Sequence, residues 1–393
     1  MCGYQGWFRA PGDGSSHGWG HYSGGKKNFN ADSLHLDAWP DVSEYPKTYA
    51  TSFQNPDGSA ARVFSSIDQS TVDTHFRWMK EYGIDGVFVQ RFFPGLRTEE
   101  SRQKSRVVLE EALKASQKYG RAIAVMYDLS GIRAKGEDCS AVIEDWKELV
   151  DQLKLTSQGK DQTYLYHNGK PLVAIWGLGF PDRPYNIRNI GIEKLINFLK
   201  HDPKYGGCSV LLGVPTYFRQ LDIDTLPDPY LHKVMGMADI VMPWMVQRFT
   251  PLLQAENARY EAQIKADIDW CKRHHLEYVP CVYPGFSWYN LGRKEFGGGP
   301  PLNQIPRLKG KFYWDQISAA QEAGAKMIYV AMFDEMDEGT AIFKCTNQPP
   351  VGVKLLDMEG VPSDHYLWLT GEAGKMLRGQ IPFSKKLPVR NSK

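Results

Sequence analysis

Short apolar runs alternate with longer amphipathic stretches along this chain of 393 residues. Most runs are apolar throughout, which is typical of strands in a parallel sheet that is covered on both faces. The predicted strands are 2–8, 85–91, 121–128, 171–177, 208–214, 239–244, 277–283 and 326–333. The predicted helices are about 68–82, 98–119, 140–157, 192–201, 256–275, 313–323 and 364–377.

Eight predicted strands that alternate with predicted helices indicate a (β/α)₈ TIM barrel with long loops at its C-terminal face. A doubly wound open sheet is the alternative, but no Gly-rich nucleotide loop follows the first strand. Residues 9–67 are rich in Gly and aromatic residues, and we expect them to form an insertion over that face. No repeat or linker is evident, so we predict one catalytic domain over 1–393, with a loosely ordered tail from about 380.

Composition excludes several classes of protein. The net charge is +2, with no long basic or acidic run, which argues against a nucleic-acid partner. No stretch of 18 apolar residues is present, so no membrane span is predicted. Residues 1–8 do not resemble a signal peptide, and we expect a monomer located in the periplasm, at the cell surface or outside the cell, with its leader already removed.

Cysteine and histidine positions give no sign of a metal or cofactor. The six Cys are dispersed without a C-x-x-C pair, which predicts reduced thiols. No spacing among the ten His fits a zinc site. For His17 and His21, in the insertion, both a surface position and a contact with sugar hydroxyls stay open.

Aromatic, amide and charged residues follow almost every predicted strand. The carboxyl ends of barrel strands form the active-site face, and flat aromatic rings can stack on the apolar faces of sugars. Packing at the barrel rim is the alternative for any single aromatic residue. The predicted substrate-binding residues are Tyr4, Trp7, Gln90, Arg91, Tyr127, Asp128, Trp176, Tyr217, Trp244, Tyr283 and Trp288.

Four acidic residues follow the eighth strand, at 334, 335, 337 and 338. Glycoside cleavage uses two carboxyl groups, one as the acid and one as the base or nucleophile. We predict Glu335 and Glu338 as this pair, because a spacing of three residues lets both face one pocket. The alternative is a solvated loop whose carboxylates cap the next helix.

The segment 335–340, Glu-Met-Asp-Glu-Gly-Thr, resembles the E-x-x-E-G-T motif of glycoside hydrolase family 99 and of the related family 71. Family 99 contains endo-α-mannosidases and endo-α-1,2-mannanases. Segments 3–8, 168–171 and 284–288 are also similar, so the resemblance spans the barrel. One departure is Met336, where a Trp commonly follows the first Glu.

The resemblance implies hydrolysis of α-linked, mannose-containing glycans with retention of configuration. Glu335 would act as the base on the substrate's own 2-hydroxyl, which attacks C1 to form a 1,2-anhydro sugar. Glu338 would protonate the leaving group and then activate water. Two alternatives stay open: a glycosidase acting on an α-glucan or on a xylose- or arabinose-containing polymer, and a non-catalytic carbohydrate-binding barrel.

Overall fold

The computed structural model describes residues 1–24, 27–156, 163–251, 256–295 and 299–390, except for the side chains of 256, 257, 294 and 295. Eight segments in parallel form one sheet, and they are numbered here in chain order. They are β1 Cys2–Tyr4, β2 Gly86–Phe92, β3 Ala122–Asp128, β4 Lys170–Trp176, β5 Ser209–Pro215, β6 Ile240–Trp244, β7 Glu277–Tyr278 with Cys281–Val282, and β8 Tyr329–Val330.

Strand β7 closes the sheet into a barrel. Its first part, Glu277–Tyr278, pairs with β6, and its second part, Cys281–Val282, pairs with β8. Strand β8 pairs in turn with β1, and the pairing continues through β2, β3, β4 and β5 to β6. The ladder therefore returns to the strand at which it began. The predicted (β/α)₈ fold is confirmed.

Three strands are shorter than predicted, and the cause is local in each. Gly6 adopts a left-handed φ of 60°, so the chain leaves the ladder soon after Tyr4. Pro280 has no N–H to donate and lies between the two parts of β7. After β8 the chain turns into the acidic loop, the name used here for residues 334–341, and its amides bond within that loop.

Helices occupy the outer layer. They are α1 Gln69–Tyr82, α2 Glu99–Tyr119, α3 Ser140–Leu153, α4 Ile192–His201, α5 Tyr230–Met235, α6 Glu256–Arg273, α7 Tyr289–Glu295, α8 Lys311–Glu322 and α9 His365–Leu377, with short 3₁₀ helices at Phe93–Leu96 and Leu308–Gly310. Helices α5 and α7 were not predicted, because each is only about two turns long. The predicted end of α3 at 157 lies outside the described residues. Among the described residues, no helix is long and apolar enough to cross a membrane.

The insertion of residues 9–67 packs against the carboxyl ends of the strands. It contains an antiparallel hairpin, Tyr49–Gln54 with Ala60–Val63, and a buried aromatic cluster that includes Phe29 and Trp39. The backbone amides of Asp37 and Ala38 both donate to the Met336 carbonyl at 3.1 Å. The insertion therefore contacts the acidic loop directly.

Two further segments bear on the sequence predictions. The predicted hairpin before β4 is present, with Asn168 and Gly169 at its turn. The tail from about 380, predicted to be loosely ordered, contacts the barrel: Trp314 Nε1 donates to the Ser384 carbonyl at 3.1 Å, and Arg390 pairs with Asp364 at 2.6 Å. The division of the chain into one catalytic domain stays a prediction. All six cysteines are buried and free.

Candidate active site

A cleft of about 560 Å³ opens at the carboxyl ends of the barrel strands. This volume suits a small-molecule or sugar-sized ligand. The cleft brings together eight of the residues predicted from the sequence. They are Trp7, Gln90, Asp128, Trp176, Trp244, Trp288, Glu335 and Glu338.

Strand alternation decides which side chains reach the cleft. Successive residues of a strand point to opposite faces, so two adjacent residues cannot both face the barrel interior. On β2 the inward residue is Gln90, and on β3 it is Asp128. Their neighbours Arg91 and Tyr127 therefore face the helices.

The predicted contact of Arg91 and Tyr127 with the cleft is therefore wrong. Arg91 is 2% exposed and forms two hydrogen bonds with the carboxylate of Asp145 on α3, one of them from Nε at 2.7 Å. The Tyr127 hydroxyl donates to the same carboxylate at 2.8 Å. Both side chains join β2 and β3 to the helix layer instead of binding substrate.

Three predicted tyrosines also lie outside the cleft. The hydroxyl of Tyr4 is 2.8 Å from His75 Nδ1 on α1, since Gly3 and Gln5 hold the inward positions of this segment. Tyr283 is buried and donates to the Phe249 carbonyl at 2.5 Å. The Tyr217 hydroxyl accepts a hydrogen bond from Arg259 on α6.

Tryptophan rings form the apolar part of the cleft wall. Trp176 and Trp244 meet edge to face, with ring centroids 5.4 Å apart. Trp7 stacks with His21, at a centroid distance of 3.9 Å, and with Phe92, at 5.0 Å. His21, whose position the sequence left open, thus supports the wall from the insertion.

Glu335 lies at the base of the cleft and is 4% exposed. Its Oε1 accepts from Gln5 Nε2 at 2.7 Å, and its Oε2 accepts from the Thr340 hydroxyl at 2.8 Å. Burial raises the pKa of Glu335 well above its usual value, and the negative charges of Glu338 and Asp337 raise it further. A carboxylate in this setting has a high affinity for a proton, as a base that acts on a hydroxyl requires.

Glu338 lies on the same cleft and is half-buried. Its backbone carbonyl accepts from the Ser287 amide at 2.9 Å, and Gly339 follows with a left-handed φ of 62°. A Cβ at residue 339 would lie 3.1 Å from the Ser287 backbone nitrogen, so this turn favours glycine. The turn directs Glu338 to the cleft that Glu335 already occupies.

The other two acids of the loop have different surroundings. The Asp334 carboxylate accepts from the amides of Gln5 and Gly6 at 2.8 and 2.9 Å, which fixes the end of β1. Burial raises the pKa of Asp334 to about 7. Asp337 is 3% exposed and lies 3.9 Å from His21 Nδ1. Neither carboxylate is part of the cleft lining, and neither caps a helix.

A third carboxyl group lines the cleft opposite the acidic loop. Asp128 accepts from the Ser130 amide at 2.7 Å, and burial raises its pKa to about 6. The nearby positive charge of Arg183 acts in the opposite direction. Arg183 lies over the ring of Trp176, 5.3 Å from its centroid.

Sequence reasoning missed about half of the cleft lining. Gln5 could have been found from strand alternation, since it is two residues after the inward Gly3. Phe92, the last residue of β2, could have been found in the same way, since it is two residues after the inward Gln90, and the other seven lie on loops after the strands, where no periodic pattern indicates direction. The missed residues are Gln5, Phe92, Ser130, Phe180, Asp182, Arg183, Val246, Gln247 and Arg248. Within the described parts of the chain, no group of three His, Cys, Asp or Glu is placed to hold a metal ion.

Comparison with known proteins gives relatives in sequence and in structure. No protein-family model matches the chain. A glycoprotein endo-alpha-1,2-mannosidase-like protein from Danio rerio is 28% identical over 112 residues, which cover 27% of this chain and 23% of that protein. The match thus spans less than a quarter of the relative.

The structural matches cover almost the whole chain. The GH99 endo-alpha-mannosidase from Bacteroides thetaiotaomicron has a TM-score of 0.67 and 18% identity, over 96% of this chain and 97% of that one. A glycoside hydrolase-like protein has a TM-score of 0.54 and 14% identity, over 90% and 98%. The resemblance predicted from the sequence is confirmed: this chain has the fold of the family 99 endo-α-mannosidases.

Proposed function

We propose that this protein is a retaining glycoside hydrolase that cleaves α-linked, mannose-containing glycans within the chain. The observation that carries the proposal is the placement of Glu335 and Glu338 on one tryptophan-lined cleft. The mannosidase-like names of the sequence relative and of the structural neighbour with the TM-score of 0.67 support the choice of sugar.

Glu335 is the base in this proposal. Its raised pKa gives the ionised form a strong affinity for the proton of the substrate's 2-hydroxyl. That oxygen attacks C1 as the glycosidic bond breaks, which forms a 1,2-anhydro sugar. In an α-mannoside the 2-hydroxyl is axial and trans to the leaving group, so the attack is in line.

Glu338 is the acid. Its greater exposure lets it reach the leaving oxygen at the open side of the cleft and then a water molecule. It gives its proton to the departing sugar and, as a carboxylate, takes one from the water that attacks C1, while Glu335 returns its proton to the 2-oxygen as the anhydro ring opens. The two inversions at C1 give net retention of configuration.

Glu335→Gln and Glu338→Gln test these roles. Each change should lower kcat by roughly 10²–10⁴-fold, the usual contribution of a placed acid or base. A substrate with a good leaving group should partly rescue Glu338→Gln in the first step but not Glu335→Gln. Glu100→Gln, on the exposed face of α2, is the control and should keep full activity.

The 2-hydroxyl route has its own test. A 2-deoxy substrate should not be cleaved, and NMR should show the α-anomer as the first product. Efficient cleavage of the 2-deoxy sugar, or an inverted anomer, would contradict the 2-hydroxyl route and would indicate that Glu335 and Glu338 use an ordinary two-carboxylate mechanism.

A panel of polysaccharides separates this proposal from its alternatives. Cleavage of an α-glucan or of a xylose- or arabinose-containing polymer in preference to mannans would reassign the substrate. Binding without any cleavage would indicate a carbohydrate-binding barrel. We also propose a monomer that acts outside the cytoplasm, which size-exclusion chromatography and cell fractionation would test.

A further inference from the structure

The acidic loop is held by a buried arginine that does not line the cleft. Arg307 is 2% exposed, and its Nη2 donates to the backbone carbonyls of Gly339 at 2.8 Å and Ala341 at 2.7 Å. These carbonyls come one and three residues after Glu338. One guanidinium nitrogen thus joins two points of the loop that carries both glutamates.

Arg307 is anchored on the side away from the loop. The amide of the next residue, Leu308, donates to Glu359 Oε1 at 3.1 Å. The guanidinium carbon lies 4.5 Å from the ring centroid of Tyr366 on α9. The arginine therefore connects the start of α8 and the face of α9 to the acidic loop.

The buried charge is costly. Within the described part of the chain, Nε and Nη1 of Arg307 are buried and make no hydrogen bond. An arginine remains charged at all ordinary pH values, and burying a charge without full hydrogen bonding lowers stability. An apolar residue would avoid the cost of the buried charge but would remove the donor to the carbonyls of Gly339 and Ala341, so the arginine serves the acidic loop.

Gly285 makes room for this side chain. A Cβ at residue 285 would lie 2.6 Å from Cγ of Arg307 and 2.9 Å from the Ile305 carbonyl oxygen. Such distances force a displacement, either of the arginine stem or of the backbone. The close approach gives a second, independent means of moving the arginine without removing it.

We propose that Arg307 is a positioning residue for the hydrolytic reaction, an inference that rests on the proposed function. It holds the carbonyls of Gly339 and Ala341 and thereby sets where Glu335 and Glu338 stand relative to the bound sugar. Trp176 and Trp244 of the cleft wall lie on β4 and β6, whereas Arg307 contacts the acidic loop, α9 and the segment around Gly285. Its loss should therefore impair turnover more than binding.

Arg307→Ala tests the proposal in the full chain. We expect kcat to fall about 10²-fold, the usual effect of displacing catalytic groups by about 1 Å, with little change in KM. Low millimolar methylguanidinium should restore part of the lost turnover, whereas urea at the same concentration should not. Arg102→Ala removes an arginine that pairs with Glu148, far from the loop, and should show neither the loss nor the rescue.

Hydrogen exchange of the amides of residues 339–341 gives a readout that needs no substrate. In the native protein these amides donate to the carbonyls of Met336 and Glu335. Exchange should be faster in Arg307→Ala, slower again with methylguanidinium, and unchanged in Arg102→Ala. Unchanged exchange in Arg307→Ala, or equal effects on kcat and KM, would overturn the proposal.

The same measurements distinguish a failure of the Arg307 proposal from a failure of the proposed hydrolase function. If the unaltered protein cleaves no glycan but Arg307→Ala still speeds amide exchange in residues 339–341, the proposed hydrolase function is contradicted. The structural role of Arg307 in holding the acidic loop is then still supported. If Arg307→Ala does not fold, Gly285→Ala provides the test, since its Cβ would lie 2.6 Å from Cγ of the arginine. Faster exchange with lower kcat is expected there too, and native exchange with native kcat would contradict the proposal.

Discussion

The protonation of Glu335 is set by a few neighbouring groups. Burial and the charges of Glu338 and Asp337 favour the protonated acid, whereas hydrogen bonds from Thr340 and Gln5 favour the carboxylate. The two cleft glutamates interact, so their protons leave in steps that belong to the pair. A base must be ionised to act, and its activity therefore appears above its pKa.

Thr340→Val should move the acidic limb of the kcat/KM–pH profile to higher pH. The change keeps the side-chain shape but removes a hydrogen bond that lowers the pKa of Glu335, so this pKa rises further. Thr340→Ser keeps the hydroxyl and should restore the profile. A shift of the basic limb instead would indicate that Glu335 is the acid.

At the scale of elements, hydrogen bonds join the insertion to the acidic loop and to the start of α7. Asp37 is fully buried in the insertion, and its carboxylate accepts from the amides of Tyr289 and Asn290 at 2.7 and 2.8 Å, at the start of α7. Its backbone amide donates to Met336 in the acidic loop. One residue therefore links the insertion to the acidic loop and to the helix that follows Trp288.

Asp37→Asn should lower the free energy of unfolding by about 1 kcal/mol, the usual effect of losing a helix cap. An amide group keeps one acceptor oxygen but loses the charge and the second acceptor. Urea denaturation measures the change. Asp57→Asn, at an exposed turn of the same insertion, is the control, and an equal effect there would remove the special role of Asp37.

At the scale of the whole molecule, buried ionisable groups have opposite effects on stability as the pH changes. His75 is fully buried between the hydroxyls of Tyr4 and Tyr45, and burial lowers its pKa from 6.5 to about 3. Stability from neutral His75 is present above pH 6.5 and is lost as the pH falls toward 3. Asp334 and Asp267 have pKa values raised to about 7, so their contribution is lost as the pH rises through 7.

His75→Gln should reduce the fall in Tm that occurs as the pH is lowered from neutral to acidic values. One such group changes the free energy of unfolding by at most about 1.4 kcal/mol per pH unit. The variant removes this contribution, while the carboxyl groups still titrate. Thermal unfolding at a series of pH values measures the slope. His201→Gln, at the exposed end of α4, should leave the slope unchanged, and an unchanged slope in His75→Gln would contradict the assignment.

The sequence by itself determined the order and type of most elements. Hydrophobic periodicity is a local property, and Gly83 and Gly120 end α1 and α2 where the pattern predicts, because each takes a left-handed conformation. The position of the acidic pair after β8 was also predictable. A barrel places every strand end at one face, whatever the details of packing.

Only the tertiary structure decided which side chains meet at the cleft. Arg91 and Tyr127 lie next to cleft residues in sequence but face α3, since each strand's register depends on pairing with segments far away in the chain. Arg183 and Arg307 leave no sequence pattern, because both lie outside the regular strands and long helices, where Arg183 packs over Trp176 and Arg307 contacts Tyr366 and the carbonyl of Gly339. Local periodicity specifies elements, whereas long-range packing specifies the site.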